Sequence, residues 1–304
     1  MNKKVKFIFS IIFSVIILAI LFIKFDLSKL DLSKIKPSLI IIPFIFYFFI
    51  KLINTVRYSN VYKIPNKPKL FWILCYSNLM LSLIPFRLGE FSYISNFKRE
   101  FNKTYKEAAQ KLILIRFIDY VAIYILLLIS SIYVSTQIKD GLIGIISLFF
   151  VISLIIFFGF VYIVGFTKSN FGIKSKKLNK IILVIKEGFR EMLKISKLDF
   201  FKLFFLTFMY WGIRLVMGYL ILILLGIKIS FYSAVFISLL LLLLGLFPIQ
   251  TYMNFGTFEA GWVYFLINLG YEYSQILPMI LIYHITLMIP PIIYGILGFF
   301  FKGR

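Results

Sequence analysis

The sequence predicts an all-α polytopic membrane protein, with six full spans and two re-entrant or tightly paired helical hairpins in an inverted-repeat architecture. Three observations lead there. The chain of 304 residues is 61% hydrophobic and only 15% charged, with a mean hydropathy of +0.97, far from the average of a soluble domain. Its apolar residues gather in runs near the roughly 20 residues that cross a bilayer as a helix. Ionisable residues interrupt or flank those runs in a pattern that recurs in the two halves, as internal repeats of membrane transporters do.

The runs that qualify as full spans are residues 7–25, 39–56, 112–135, 142–166, 203–225 and 276–301. The first follows a basic start, residues 1–6. It is longer than the apolar region of a signal peptide and no small-x-small cleavage site follows, so an uncleaved span is expected. Three shorter runs, 70–86, 232–247 and 256–270, fall near the lower limit for crossing.

Charge places these elements. The net charge is +22, and most Lys and Arg fall in short clusters at 3–6, 57–69, 98–111, 168–202 and 302–304. In a soluble protein such an excess points to nucleic acid; between apolar runs it is the positive-inside signature, and no nucleic-acid partner is expected. With the clusters inside, both termini are cytoplasmic in a cell membrane. Segment 70–97 then has two cytoplasmic ends, and segment 232–270 two external ends. Each must enter and return, and the two hairpins approach from opposite faces.

The whole chain, 1–304, reads as one membrane domain. Its first half covers about 1–135 and its second about 142–301. A basic linker at 167–200 joins them, and within it Leu178, Ile181, Ile182, Ile185, Phe189, Met192 and Leu193 form an apolar stripe at helical spacing. That stripe predicts an amphipathic helix lying on the cytoplasmic leaflet. The single cysteine, Cys75, lies in an apolar stretch and reads as a small buried hydrophobe.

The candidate functional residues sit at the hairpins and inside the spans that follow them. The first hairpin carries Asn78, Pro85, Arg87, Gly89 and Glu90, and the next span carries Arg116 and Asp119. Pro85 and Gly89 break a helix, and the backbone groups they free are tolerated at depth only inside protein or beside a wet cavity. Arg87 and Glu90 are one helical turn apart, as are Arg116 and Asp119. Asp119 needs a cation, for which Arg116 and Arg87 are the natural choices. The second hairpin carries Pro248 and Gly256 as breakers and Glu259 as its acid, with Arg214 and His284 as candidate partners on neighbouring spans. Glu90 precedes Arg116 by 26 residues and Glu259 precedes His284 by 25. Charges at membrane depth are expensive and mark solute or proton paths. A guanidinium suits the planar geometry of a phosphate.

Several chemistries are excluded. The sequence has no GxxxxGK[ST] loop, no HExxH and no GxSxG. One His and one Cys do not make a standard zinc site. No cofactor and no metal are expected.

The run Pro85-Phe-Arg87-Leu-Gly89-Glu90, with Asn78, Ala108-Ala109, Arg116, Asp119, Pro248, Gly256 and Glu259, resembles the lysylphosphatidylglycerol synthase transmembrane region, a flippase-like family. The resemblance covers about residues 7–301. The family pattern often has an arginine near His284, and the chain departs from it there. In fused relatives a soluble aminoacyltransferase domain follows the membrane part, whereas this chain stops at Arg304. The resemblance therefore implies the translocating half without the synthase half, and a lysyltransferase label would be inherited from those relatives.

The expected function is movement of a lipid between leaflets: an anionic or aminoacylated phospholipid, or a polyprenyl-phosphate-linked one. Arg87, Arg116 and Arg214 would hold the phosphate, and Glu90, Asp119 and Glu259 would tune them or meet a cationic headgroup. One alternative is an accessory membrane subunit that binds a lipid-synthesising enzyme through the basic surface at 168–202. Another is an intramembrane enzyme with Glu259 and His284 as acid and base.

Overall fold

The computed structural model describes residues 36–84, 88–134, 195–244 and 252–303, with Ile152, Ile155, Gly159, Leu183, Val184 and residues 186–188 in addition. The expected spans at 7–25 and 142–166, most of the amphipathic linker, and the breakers Pro85 and Pro248 lie outside the described residues, as does Arg87. Among the described residues the main elements are helices and there is no strand.

Eight α-helices are given in full by the described residues: α1 (Ser38–Tyr62), α2 (Lys67–Leu83), α3 (Glu90–Phe101), α4 (Tyr105–Val134), α5 (Lys197–Leu224), α6 (Phe231–Leu244), α7 (Thr257–Asn268) and α8 (Tyr273–Phe301). A 3-10 turn at Tyr252–Asn254 precedes α7. Four of these, α1, α4, α5 and α8, are long and apolar enough to cross a membrane. The other four have 12 to 17 residues. At about 1.5 Å per residue each is shorter than the roughly 30 Å hydrocarbon layer.

Local chemistry explains the boundaries. The α1 chain turns away at Lys63, whose left-handed φ of 54° closes the helix through a hydrogen bond from its N–H to the Ser59 carbonyl. Asn66 then caps α2 by accepting from the Lys69 N–H at 3.0 Å, and Pro68 occupies its first turn. Thr104, Ser196 and Ser230 accept in the same way from Glu107, Asp199 and Ser233, each at 3.1 Å.

Gly89 lets α3 start directly against α2: a Cβ there would lie 2.3 Å from the Met80 carbonyl oxygen. Gly256 enters α7 at φ 86°, a conformation that favours glycine. Both expected hairpins are therefore helix–break–helix units, with a glycine at each described break.

Packing between helices follows one pattern. α1 packs on α5, α2 on α8, and α6 on α4. The further contacts are α1 with α2 and α5 with α6, α2 with α3 and α6 with α7, α3 with α4 and α7 with α8, α1 with α8 and α4 with α5, and α1 with α4 and α5 with α8. These helix pairs are unchanged when α1–α4 are exchanged in order for α5–α8. Each short helix that opens a unit, α2 or α6, thus packs on the long helix that closes the other half.

The α2–α8 contact is close. A Cβ on Gly298 would lie 2.5 Å from the Trp72 carbonyl oxygen, and one on Gly295 would lie 2.4 Å from Leu79 Cβ. Cys75, on α2, is buried, as expected of a small hydrophobe.

The linker touches the first half where it is described. Glu187 Oε2 meets Lys106 Nζ at 2.7 Å and accepts from Gln110 Nε2 at 2.7 Å, both on α4. Gly188 lies against the α4 backbone at Gln110.

Candidate functional site

The α1 helix carries an inward polar stripe. Tyr47, Lys51, Asn54, Tyr58 and Tyr62 recur three or four residues apart, and each is buried. Arg57 lies beside this stripe and is 1% exposed. The sequence placed Arg57 in the basic cytoplasmic flank at 57–69. The structure adds that the helix runs on past the apolar stretch and that Arg57, Tyr58, Ser59 and Tyr62 are buried inside the protein.

Arg57 is the main partner of Asp119. Its Nη2 donates to Asp119 Oδ1 and its Nη1 donates to Asn54 Oδ1 at 3.2 Å. Trp211 Nε1 donates to the same Asp119 oxygen at 3.2 Å. Arg116 Nη1 reaches the other one, Oδ2, at 3.4 Å. The expected Arg116–Asp119 contact is present but secondary. The primary cation comes from α1, 62 residues away in sequence.

Arg116 also reaches Glu90. Its Nε lies 3.2 Å from Glu90 Oε1, an ion-pair contact without hydrogen-bond geometry. Arg116 and Glu90 side chains are 25% and 27% exposed, whereas Arg57 and Asp119 are 1% and 5%. The charges therefore run from a half-open end at α3 to a closed end between α1, α4 and α5. Aromatic faces line the way: the Arg57 guanidinium lies 4.8 Å from the Tyr210 ring centre and that of Arg116 lies 5.7 Å from Tyr93.

Magnitudes say what such a pair is for. Removing a carboxylate and a guanidinium from water costs several kcal/mol per ion. At an effective dielectric of about 20, two unit charges about 4 Å apart recover about 4 kcal/mol. The pair roughly breaks even, and the added hydrogen bonds from Asn54 and Trp211 make it tolerable. Three buried guanidinium nitrogens, Arg57 Nε and Arg116 Nε and Nη2, keep no hydrogen-bond partner among the described residues. Replacing a buried ion pair by apolar groups of similar volume is often neutral or stabilising, so stability is a weak account of these charges.

A second centre lies wholly in the second half. Glu259, in the first turn of α7, accepts from the Gly256 N–H through Oε2 at 2.7 Å. Its other oxygen, Oε1, lies 2.7 Å from His284 Nδ1 on α8. Glu259 and His284 side chains are 0% and 1% exposed. The rings of Phe255 and Phe258 lie 4.7 and 4.3 Å from the imidazole. Among the described residues, His284 Nε2 is buried without a hydrogen-bond partner. Of the two cations expected for Glu259, His284 is the one in contact. Arg214 instead stacks at 5.4 Å from the Trp211 ring and belongs to the first centre.

The two centres share a plan. In each half an acid in the first turn of the second short helix meets a basic side chain on the following long helix: Glu90 with Arg116, Glu259 with His284. Asn78, also expected at the site, donates from Nδ2 to the Tyr47 hydroxyl at 3.3 Å and so joins α2 to the polar stripe of α1. The sequence reading missed Lys51, Asn54 and Arg57 as site residues; their three- and four-residue spacing with Tyr47 and Tyr58 was the available signal. A separate cavity of about 490 Å³, lined by Lys228, Ser230, Ser233 and Tyr271 among others, opens at the start of α6. None of the paired acids lines it.

A family model described as "Lysylphosphatidylglycerol synthase TM region" matches residues 7–295. No curated protein matches the chain, and no solved structure does.

Proposed function

Because the chain belongs to the lysylphosphatidylglycerol synthase TM region family, we propose that its lipid-related role in the membrane is to move a lipid headgroup between leaflets. The observation that carries this reading is the charged network of Arg57, Asp119, Arg116 and Glu90. It graduates from half-open to closed between apolar helices. A headgroup crossing hydrocarbon needs such a polar path, while its acyl chains stay in lipid.

The architecture proposed for this task is an inverted repeat of two four-helix units. The helix contacts that survive exchange of the two halves support the repeat, and the short paired helices support re-entrant hairpins entering from opposite faces. Both termini are assigned to the cytoplasm of a cell membrane by the distribution of Lys and Arg.

Liposomes reconstituted with the full chain and a headgroup-labelled phosphatidylglycerol test the proposal. Labelled lipid of the inner leaflet should become accessible to an external quencher faster than in empty vesicles. Rates equal to those of empty vesicles, with correctly folded protein, reject translocation.

One observation favours a second reading: among the described residues the buried Glu259–His284 pair leaves one imidazole nitrogen without a partner, as an acid–base site would. Mass spectrometry of lipids incubated with the protein and candidate donors separates the two, because only an enzyme changes lipid mass.

A further inference from the structure

The two halves differ at one matching position. In the first, Glu90 meets Arg116, and a guanidinium does not lose its proton in a protein. In the second, Glu259 meets His284, the only histidine in the chain. Imidazole is the side chain whose ordinary titration falls between pH 5 and 8. The basic partner is thus fixed in charge in the first half and titratable in the second.

The geometry says which atom exchanges the proton. Glu259 Oε1 lies 2.7 Å from His284 Nδ1, and Oε2 already accepts from the Gly256 N–H. With the carboxylate ionised, the imidazole turns a hydrogen on Nδ1 toward it. The proton that comes and goes is then the one on Nε2, which is buried and has no hydrogen-bond partner among the described residues. A proton added there makes an imidazolium beside a carboxylate, a pair with no net charge. Its departure leaves a negative charge on two side chains closed off from solvent.

The surrounding elements do little to balance that charge. α7 packs on α6 and α8, and α8 packs also on α1, α2 and α5. α6 carries no charged residue, α2 none after Lys69, and α7 and α8 none but the pair itself. α1 brings Lys51 and Arg57, the latter bound to Asp119, and α5 brings Arg214 beyond its first two turns. Among the described residues none of these forms an ion pair or hydrogen bond with Glu259 or His284. The other titratable groups inside these helices, and in the turn before α7, are phenols and the Cys75 thiol, whose ordinary values lie above that of an imidazole.

A buried charge is costly unless it is paired or reaches water. The protonated pair therefore suits a closed arrangement, and the deprotonated pair favours an open one. The same carboxylate holds the entry of α7, where Gly256 stands at φ 86°, so the change of charge acts on the backbone break of the hairpin. We propose that Glu259 and His284 form a proton-carrying site that couples headgroup movement to a proton gradient. One proton passes from water on one side of the membrane to His284 Nε2, forming an N–H bond. That bond breaks when the proton returns to water on the other side. It travels in the same direction as an anionic headgroup, so the two together carry no net charge through hydrocarbon. This coupling rests on the lipid-moving role proposed above and supplies its driving force.

Two measurements on the full chain test it. The first uses liposomes with headgroup-labelled phosphatidylglycerol, with the membrane potential clamped by potassium and valinomycin. At steady state one proton per lipid should bias the label about tenfold per pH unit toward the alkaline leaflet. His284→Arg gives Glu259 the fixed cation of the first-half pair, and His284→Gln gives it a neutral side chain; both should remove the bias. The second measurement needs no substitution. With a single histidine, nitrogen-15 imidazole labelling reads His284 alone by NMR in nanodiscs. Phosphatidylglycerol in place of phosphatidylcholine should raise its pH of half-protonation by about one unit.

A leaflet ratio in the wild type that ignores or opposes the gradient overturns the coupling, and so does an imidazole that titrates identically in the two lipids. A bias that survives in either His284 variant overturns the site. Absence of lipid movement with and without the gradient rejects the transport reading instead, and the titration of His284 then decides the proton site alone.

Discussion

His284 Nδ1 lies 2.7 Å from Glu259 Oε1, with both side chains closed off from solvent. The same carboxylate holds the Gly256 N–H at 2.7 Å. One acid thus fixes the entry of α7 and clamps it to α8. Removing either partner leaves a buried polar group unmatched, so Glu259→Ala and His284→Ala should each destabilise the protein by about 3–5 kcal/mol. The double variant should cost clearly less than the sum of the two. Denaturant unfolding of the four proteins in one detergent measures the cycle. Simple additivity would mean that the contact contributes nothing of its own.

The Arg57–Asp119 pair separates fold from function. Asp119→Ala leaves Arg57 buried without its carboxylate and should cost about 3–5 kcal/mol. Replacing both, as Arg57→Met with Asp119→Leu, removes both charges at similar volume and should restore most of that stability. If the pair lines the headgroup path, the stable double variant should still fail to move lipid. A double variant that is stable and transports normally would make the pair structural only.

What the sequence revealed depended on whether the signal was local. The helix starts at Gly89 and Gly256 were readable because both glycines interrupt apolar runs. Glu259 and His284 were readable because their spacing repeats that of Glu90 and Arg116. Arg57 was not, because a run of apolar residues ends at Val56 and the helix does not. Following the polar residues at helical spacing from Tyr47 through Lys51 and Asn54, rather than stopping at the first charge, would have kept Arg57 inside. The choice of Arg57 over Arg116 for Asp119 depends on how α1 packs on α4 and α5, and no spacing within either segment contains that. Arg87, Pro85 and Pro248 lie outside the described residues.

Close backbone approach predicts opposite effects at two glycines. A Cβ at Gly298 would meet the Trp72 carbonyl at 2.5 Å and the Tyr76 nitrogen at 2.9 Å, both backbone atoms of α2. Gly298→Ala must push α8 off α2 and should cost about 1–3 kcal/mol. At Gly212 in α5 a Cβ meets nothing within 4 Å, so Gly212→Ala should stabilise by about 0.5–1 kcal/mol through helix propensity. Thermal unfolding of both variants checks this, and a loss of stability at Gly212 equal to that at Gly298 contradicts the contact argument.

The two arms of the first unit are also joined outside the spans. Glu100 Oε2 lies 3.2 Å from Lys69 Nζ, linking α3 to α2, and Oε1 lies 3.0 Å from Arg99 Nε. Burial pushes the Glu100 carboxyl up, but the hydrogen bonds from Arg99 and Lys69 outweigh it and hold the group below its ordinary value. A carboxyl lowered in the folded state stabilises the fold above its unfolded pKa of about 4.3, and that contribution fades as pH falls through the folded value. The groups are partly exposed, so the effect should stay within about 1 kcal/mol. Glu100→Gln should therefore lower the unfolding temperature slightly at neutral pH, and the gap to wild type should close on acidification toward pH 3. A gap that is constant or widens with acid would show that the carboxylate charge is not what joins α2 to α3.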